Sequence, residues 1–152
     1  MSKYYFFWNG YFSQWDISPF IIDGVTFNCC EQWMMFSKAS VFKDKETAMQ
    51  ILREESPRKQ KALGRQVANF NADHWNKVAR DLVYIGNMAK FQQNIGYLNE
   101  LLSSGDMIIV EASPYDNIWG IGFDEEHALD NIEKWGTNWL GEVLMKVREA
   151  LR

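Results

Sequence analysis

Residues 20–39 read FIIDGVTFNCCEQWMMFSKA, and this stretch decides the class of fold. Phe20–Ile22 and Val25–Phe27 are short apolar runs on either side of Asp23-Gly24. That dipeptide suits the two positive-φ positions of a type I′ hairpin turn. From residue 29 to about 39 the pattern becomes helical, so strands and a helix are mixed within twenty residues. Working outward, residues 4–8 (YYFFW) suit a buried strand. A second helix is expected near 45–54, with Ala48, Ile51 and Leu52 on one face. Ser56-Pro57 is an N-cap followed by proline at the first helical position, and that helix stops near Gly64. Residues 72–92 form the longest predicted helix, with Trp75, Val78, Ala79, Leu82, Ile85 and Ala89 in period and Asn71 or Asp73 as cap. A shorter helix follows at Asn94–Leu102, then an apolar strand at Met107–Val110. Residues 113–136 read as a long loop with one helical turn, and long loops in small domains are often functional. A closing helix over 138–151 buries Leu140, Val143, Leu144, Val147 and Leu151. The sum is an α+β chain, a mainly α-helical single domain over 1–152 with a small sheet.

Length and composition agree with this. A chain of 152 residues holds one core, and a second would leave both too small. The seven Trp, ten Phe and six Tyr suit a ring-rich core, or a pocket for a flat ligand such as a base. A net charge of −4 argues against broad affinity for nucleic acid but permits one local basic pocket. Cys29 and Cys30 are adjacent, so they cannot staple the fold. The sequence lacks CxxC and HExxH spacing, so no metal site and no cofactor are expected, and a reducing, cytoplasmic setting is. The N-terminus reads as no signal peptide, and no apolar stretch approaches the ~20 residues that span a bilayer, so no membrane partner is expected.

Four constellations could carry chemistry. Glu31 and Lys38 are seven residues apart, nearly two helical turns, so they share one face. At roughly 10–11 Å along the axis they could flank a ligand over Met35, or be unrelated charges on an exposed face. Glu111 follows a strand and Asp116 lies in the loop SPYDNIWGIG. Two such carboxylates suit glycoside chemistry, where one orients water or stabilises an oxocarbenium-like state and the other moves a proton. They could equally close a turn and bond backbone. Arg65 after Gly64 has the form of a phosphate clamp, glycine admitting backbone and guanidinium forking oxygens, with Lys61 in support. Arg58, Lys59 and Lys61 otherwise read as a solvated face. Asn138, with Gly141, either caps the last helix or turns its amide to a phosphate or ribose.

In order, the segments FSQWDISPFIIDG, EQWMMFSKA, SPRKQKALGRQV, KFQQN, VEASPYDNIWGIG and TNWLGEVLMKVRE resemble the NADAR (NAD- and ADP-ribose-associated) or YbiA-like family from about residue 6 onward. The resemblance implies a YbiA-like fold and N-glycosidase activity on a ribose C1 bonded to an exocyclic amine. The leading substrate is ADP-ribose on the guanine amino group, in DNA or free nucleotide. The alternatives are ribosylamino-pyrimidine phosphates, the early riboflavin intermediates, and non-catalytic binding of ADP-ribose. The implied catalytic residues are Glu31, Lys38 and Asp116; the implied substrate contacts are Gly64, Arg65, Glu111, Trp119, Gly120, Asn138 and Gly141, with Trp33 as a further ring for stacking. Gln32 stands where many members carry histidine, which removes any mechanism that needs an imidazole there. Met35 and Gln14 also depart from the commoner glutamine and asparagine. Oligomeric state and protein partners are not legible in the sequence.

Overall fold

A computed structural model describes residues 2–152. The elements in order are β1 (Tyr4–Phe7), β2 (Phe20–Ile22), β3 (Val25–Phe27), α1 (Cys30–Val41), α2 (Lys45–Arg53), α3 (Pro57–Gly64), α4 (Ala72–Gln93), α5 (Ile95–Ser103), β4 (Ile108–Glu111), α6 (Glu125–Ala128), a 3-10 segment (Leu129–Lys134) and α7 (Trp139–Leu151). The fold class is the expected one, α+β and mainly helical. The chain divides into two compact units, one of residues 14–94 and one of residues 2–13 with 95–152. The expected small sheet is in fact two separate two-stranded sheets, one in each unit.

In the 14–94 unit, β2 and β3 form the hairpin read from Asp23-Gly24. Both turn residues have positive φ, 51° at Asp23 and 79° at Gly24, the backbone a type I′ turn requires. Phe20 pairs with Phe27, and their stacked rings point inward, while Ile21 faces outward. The rings pack with Cys30 and Ala89, so hairpin, α1 and α4 share one cluster. A second cluster joins Met35 and Ala39 of α1, Ala48 and Ile51 of α2, and Val67. Asp44, Ser56 and Asn71 cap α2, α3 and α4 by accepting from the N–H three residues on.

Along α4 one expected core position is wrong. Ile85 is 45% exposed, and the buried stripe runs Trp75, Ala79, Val83, Gly86, Asn87 and Lys90. Apolar periodicity pointed to Ile85. The helix instead buries two polar side chains because Asn87 exchanges two hydrogen bonds with Gln14 (3.0 and 3.1 Å).

In the other unit β1 and β4 pair in parallel, Tyr4 opposite Ile108 and Phe7 opposite Glu111. α7 lies on β4 through Leu140, Val143, Leu144 and Val147, spaced to keep one helical face buried. Gly141 sits at that contact: a Cβ there would overlap the carbonyl of Ile109 and the Asn138 side chain. Gly141→Ala is expected to cost about 2–3 kcal/mol, because the overlapped groups are β4 backbone and a bonded amide that cannot yield. Denaturant melts of the variant and the parent check this.

Candidate active site

Glu31 and Lys38 occupy the first and last turns of α1, where the helix dipole favours an acid and a base respectively. The Glu31 N–H donates to Gln14 O at 2.9 Å, and the residue is only 6% exposed. Lys38 is half-buried, with Nζ 4.5 Å from the centroid of the Phe70 ring. Burial pushes its amine down from the ordinary 10.5; Glu31 pulls it back up, and Arg65 pushes it further down. Glu31, Lys38 and Arg65 therefore feel one another.

Gly64 explains how Arg65 comes there. A Cβ on Gly64 would overlap the Met35 thioether, so its absence lets α3 close on α1 midway between Glu31 and Lys38. Arg65, the next residue, caps α3 beside Lys38. The glycine of this pair thus serves helix packing. Met35 is buried under this contact, against Ala39, Ala48, Ile51 and Val67.

Trp33 points elsewhere. It lies roughly 160° around α1 from Glu31. Its indole N–H donates to Leu82 O at 2.7 Å, and its ring packs edge-on to Phe27 and fills the space over Gly86. These contacts give Trp33 a packing role. Gln32 is equally structural. Its Nε2 donates to the carbonyls of Ile51, Leu52 and Glu54 at the end of α2, while Oε1 accepts from Asn28 N at 2.7 Å. A histidine cannot make that set of bonds, so position 32 works as a helix terminator in this chain.

The cysteines are buried and unlinked. Burial pushes the Cys30 thiol up to about 12 and Cys29 up to about 11, so neither is a nucleophile at neutral pH. Lys90, which the residue-by-residue reading missed, is the other amine with a lowered pKa: burial pushes it down while Cys30 and Asp16 pull it up. Its side chain has no exposed surface, whereas Lys38 has. Of the two amines, Lys38 is the one that reaches the surface.

The 2–13/95–152 unit holds the remaining candidates. Asp116 Oδ1 accepts from the N–H groups of Ile118 and Trp119, both at 2.9 Å, which folds the loop into an Asx turn. From there the backbone is fastened on two sides. Ile121 N donates to Glu111 O at the end of β4, and Asn138 N, Trp139 N and Leu140 N donate to the carbonyls of Gly120, Ile118 and Trp119. The expected loop is therefore a rigid strap. Gly120 is required in it, because a Cβ would press on the Glu111 and Asp116 carbonyls and a Glu111 carboxylate oxygen. Trp119 packs edge-on to Trp139. Asp116 lines a cavity of about 340 Å³ with Tyr115, Asn117, Phe123 and Lys134.

Asn138 occupies the N-cap position of α7, and its side chain is engaged with β4. It has φ 49° with no capping bond. Its amide bridges β4, accepting from Glu111 N (3.0 Å) and donating to Ile109 O (2.9 Å). Asn138 and Gly141 thus hold the strand that carries Glu111. Among the described residues no group of His, Cys, Asp or Glu is arranged to hold a metal ion, and no helix is long and apolar enough to cross a membrane.

The profile of the NADAR domain matches residues 5–152. The chain belongs to the NADAR family. It is 47% identical over 121 residues to an N-glycosidase of Acanthamoeba polyphaga mimivirus, covering 78% of this chain and 71% of that protein. It is 41% identical to the irg-1 protein of Caenorhabditis elegans over 82% of this chain and 61% of that one. A riboflavin biosynthesis protein of Vibrio vulnificus is 29% identical over 77% of this chain, which is 29% of its own length. Among solved structures, the NMR structure of the E. coli protein YbiA superposes with a TM-score of 0.81 at 27% identity, covering 99% of this chain and 86% of that one. The names of these relatives thus include an N-glycosidase and a riboflavin biosynthesis protein.

Proposed function

We propose that this NADAR protein is an N-glycosidase that hydrolyses the bond between a ribose C1 and an exocyclic amine, releasing ADP-ribose from the guanine amino group. The observation that carries the reading is the amine of Lys38, partly desolvated, with a buried acid two turns away on the same helix and Arg65 within electrostatic reach. A lysine whose pKa is lowered is neutral more often, and a neutral amine is a nucleophile.

The chemistry follows from the substrate's nitrogen, which keeps a hydrogen. Its lone pair forms C1=N as the C1–O4′ bond breaks, and the ring oxygen takes a proton. The Lys38 amine adds to C1, the base amine leaves carrying a proton, and the sugar remains on Lys38 as a Schiff base. Water adds to that imine, the C1–Nζ bond breaks, and the ring recloses. Glu31 is the proton carrier on α1. Arg65 holds phosphate, since a guanidinium forks two phosphate oxygens.

Asp116 is proposed as the second acid. Asp116→Asn keeps an oxygen for the Ile118 and Trp119 N–H groups and removes only the charge. The variant is expected to melt close to the parent and to lose about 100-fold in kcat. An unchanged kcat in a folded variant would remove Asp116 from the chemistry.

The test of function is product analysis by mass spectrometry after separate incubation with ADP-ribosyl-guanine and with a ribosylamino-pyrimidine phosphate. Guanine-amine release from the first is the expected result. Cleavage of the second alone would select the riboflavin-type substrate, a reading favoured by the name of the Vibrio relative. Tight ADP-ribose binding with neither bond cut would make the protein a reader.

A further inference from the structure

Phe70 has no part in the chemistry described so far, yet its ring lies against the Lys38 amine. Nζ is 4.5 Å from the ring centroid, inside the ~6 Å at which a cation feels the negative face of an aromatic ring. Core packing does not account for the position, since Phe70 is 44% exposed and meets Phe42 edge-on at 5.3 Å. An exposed apolar side chain is ordinary by itself. What sets Phe70 apart is how firmly the chain aims it. Val67 is buried with Met35, Ala39, Ala48 and Ile51, and the Ala68 N–H donates to Asp44 Oδ2 at 2.9 Å. Asn69 then turns left-handed, with φ 61°, a backbone that asparagine tolerates better than most residues. Asn71 caps α4. The reversal between these two fixed points brings Phe70 to Lys38.

A ring so placed acts on the amine in two ways. Its bulk keeps water from Nζ, which favours the neutral form, and its face favours positive charge on Nζ. The charged groups that act on the amine are Glu31 on α1 and Arg65 at the end of α3. His74 of α4 meets Phe42 edge-on at 5.9 Å, and the Asp44 carboxylate is engaged with Thr47 and Ala68.

Positive charge passes through Nζ during the proposed reaction. The opened sugar presents C1=N with a hydrogen and a positive charge on the guanine nitrogen. Neutral Nζ adds to C1, and one of its two protons passes to the guanine nitrogen. The bond from C1 to that nitrogen breaks, and the base amine leaves neutral. C1=Nζ remains, with one hydrogen and the positive charge.

We propose that Phe70 is a further residue of this reaction: its ring face positions the Lys38 Nζ and stabilises the charge that the nitrogen carries as a Schiff base. This rests on Lys38 being the reacting amine.

The test changes the face and keeps the bulk. Phe70→Leu, and protein carrying 3,4,5-trifluorophenylalanine at position 70, retain an apolar side chain and weaken the negative face. Phe70→Tyr retains the face. The half-exposed site accommodates all three, which thermal melts check. In the resting protein, acylation of Lys38 by acetic anhydride is followed by mass spectrometry against pH. Its midpoint is expected to fall by about 0.7 of a pH unit, or about fivefold in proton affinity, in the first two variants and to hold in Phe70→Tyr. In turnover of ADP-ribosyl-guanine under borohydride, the ratio of trapped to free enzyme is compared at a pH where the amine is neutral in every variant. That ratio is expected to fall about fivefold in the same two variants and to hold in Phe70→Tyr. A ring that only fills space would move neither quantity in the trifluoro protein. Both quantities unmoved in the first two variants, or lost equally in Phe70→Tyr, would overturn the proposal. Trapping in the parent that ignores the ring would overturn it alone and leave Lys38 as the nucleophile. Turnover without any trapped sugar would instead remove Lys38 from covalent chemistry, and the part given to Phe70 would fall with it.

Discussion

Replacing Lys38 by arginine is expected to lower kcat by a thousandfold or more, on the order of the loss when a covalent nucleophile is removed. Arginine keeps a cation near the Phe70 ring, so the fold and any phosphate contact survive. It cannot deprotonate, so no Schiff base can form. Borohydride added during turnover is expected to fix a sugar to the parent at Lys38 and nothing to the variant. A trapped adduct at Lys90 would move the chemistry to the other depressed amine. No adduct at all, with turnover intact, would assign direct attack by water through an oxocarbenium ion. The pH profile gives an independent check. Burial holds the Lys38 pKa below 10.5, so the neutral fraction, and with it the rate, is expected to rise as pH climbs toward that lowered value.

Glu31→Gln is expected to lower kcat by about 100- to 10,000-fold, the range for a lost proton carrier, and also to move the pH profile. The direction follows from charge. Glu31 favours the ammonium form of Lys38, so removing its charge lowers the Lys38 pKa further. The acid limb of the rate profile should therefore move to lower pH while the plateau falls. A plateau loss with an unmoved limb would mean that Glu31 and the titrating group are not coupled. Thermal melts matter for this variant, because Glu31 is buried and its amide replacement must still satisfy its surroundings.

The candidate residues separate by what each signal can report. Spacing on α1 put Glu31 and Lys38 on one face, and local helix geometry alone decides that. The resemblance marked Gly64, Gly120, Asn138 and Gly141 without saying why. Each meets backbone or a packed side chain: Met35 for Gly64, the Glu111 and Asp116 carbonyls for Gly120, and the Ile109 carbonyl for Gly141, with Asn138 bonded to β4. A motif selects positions that cannot change, and close packing constrains a position as firmly as a ligand does. The packing of Trp33 was not legible for the same reason, since its partners Leu82 and Gly86 lie about fifty residues away in sequence.

What the sequence determined by itself is whatever depends on neighbours in the chain. Asp23-Gly24 set the turn, Ser56-Pro57 and Asn71 set helix starts, and apolar periodicity set α2 and α7. Tertiary structure decided what depends on distant partners. It made two sheets where one was expected, because β1 finds its parallel mate in β4 and the hairpin stays apart. It buried Asn87 and Lys90 in place of Ile85: Gln14 satisfies the first, and burial pushes the amine pKa of the second down while Cys30 and Asp16 pull it up. It also brought Arg65 to Lys38, through a missing Cβ at Gly64. Local conformation is paid in dihedral preferences that the sequence displays, whereas burial of a polar group depends on a partner that only the folded chain supplies.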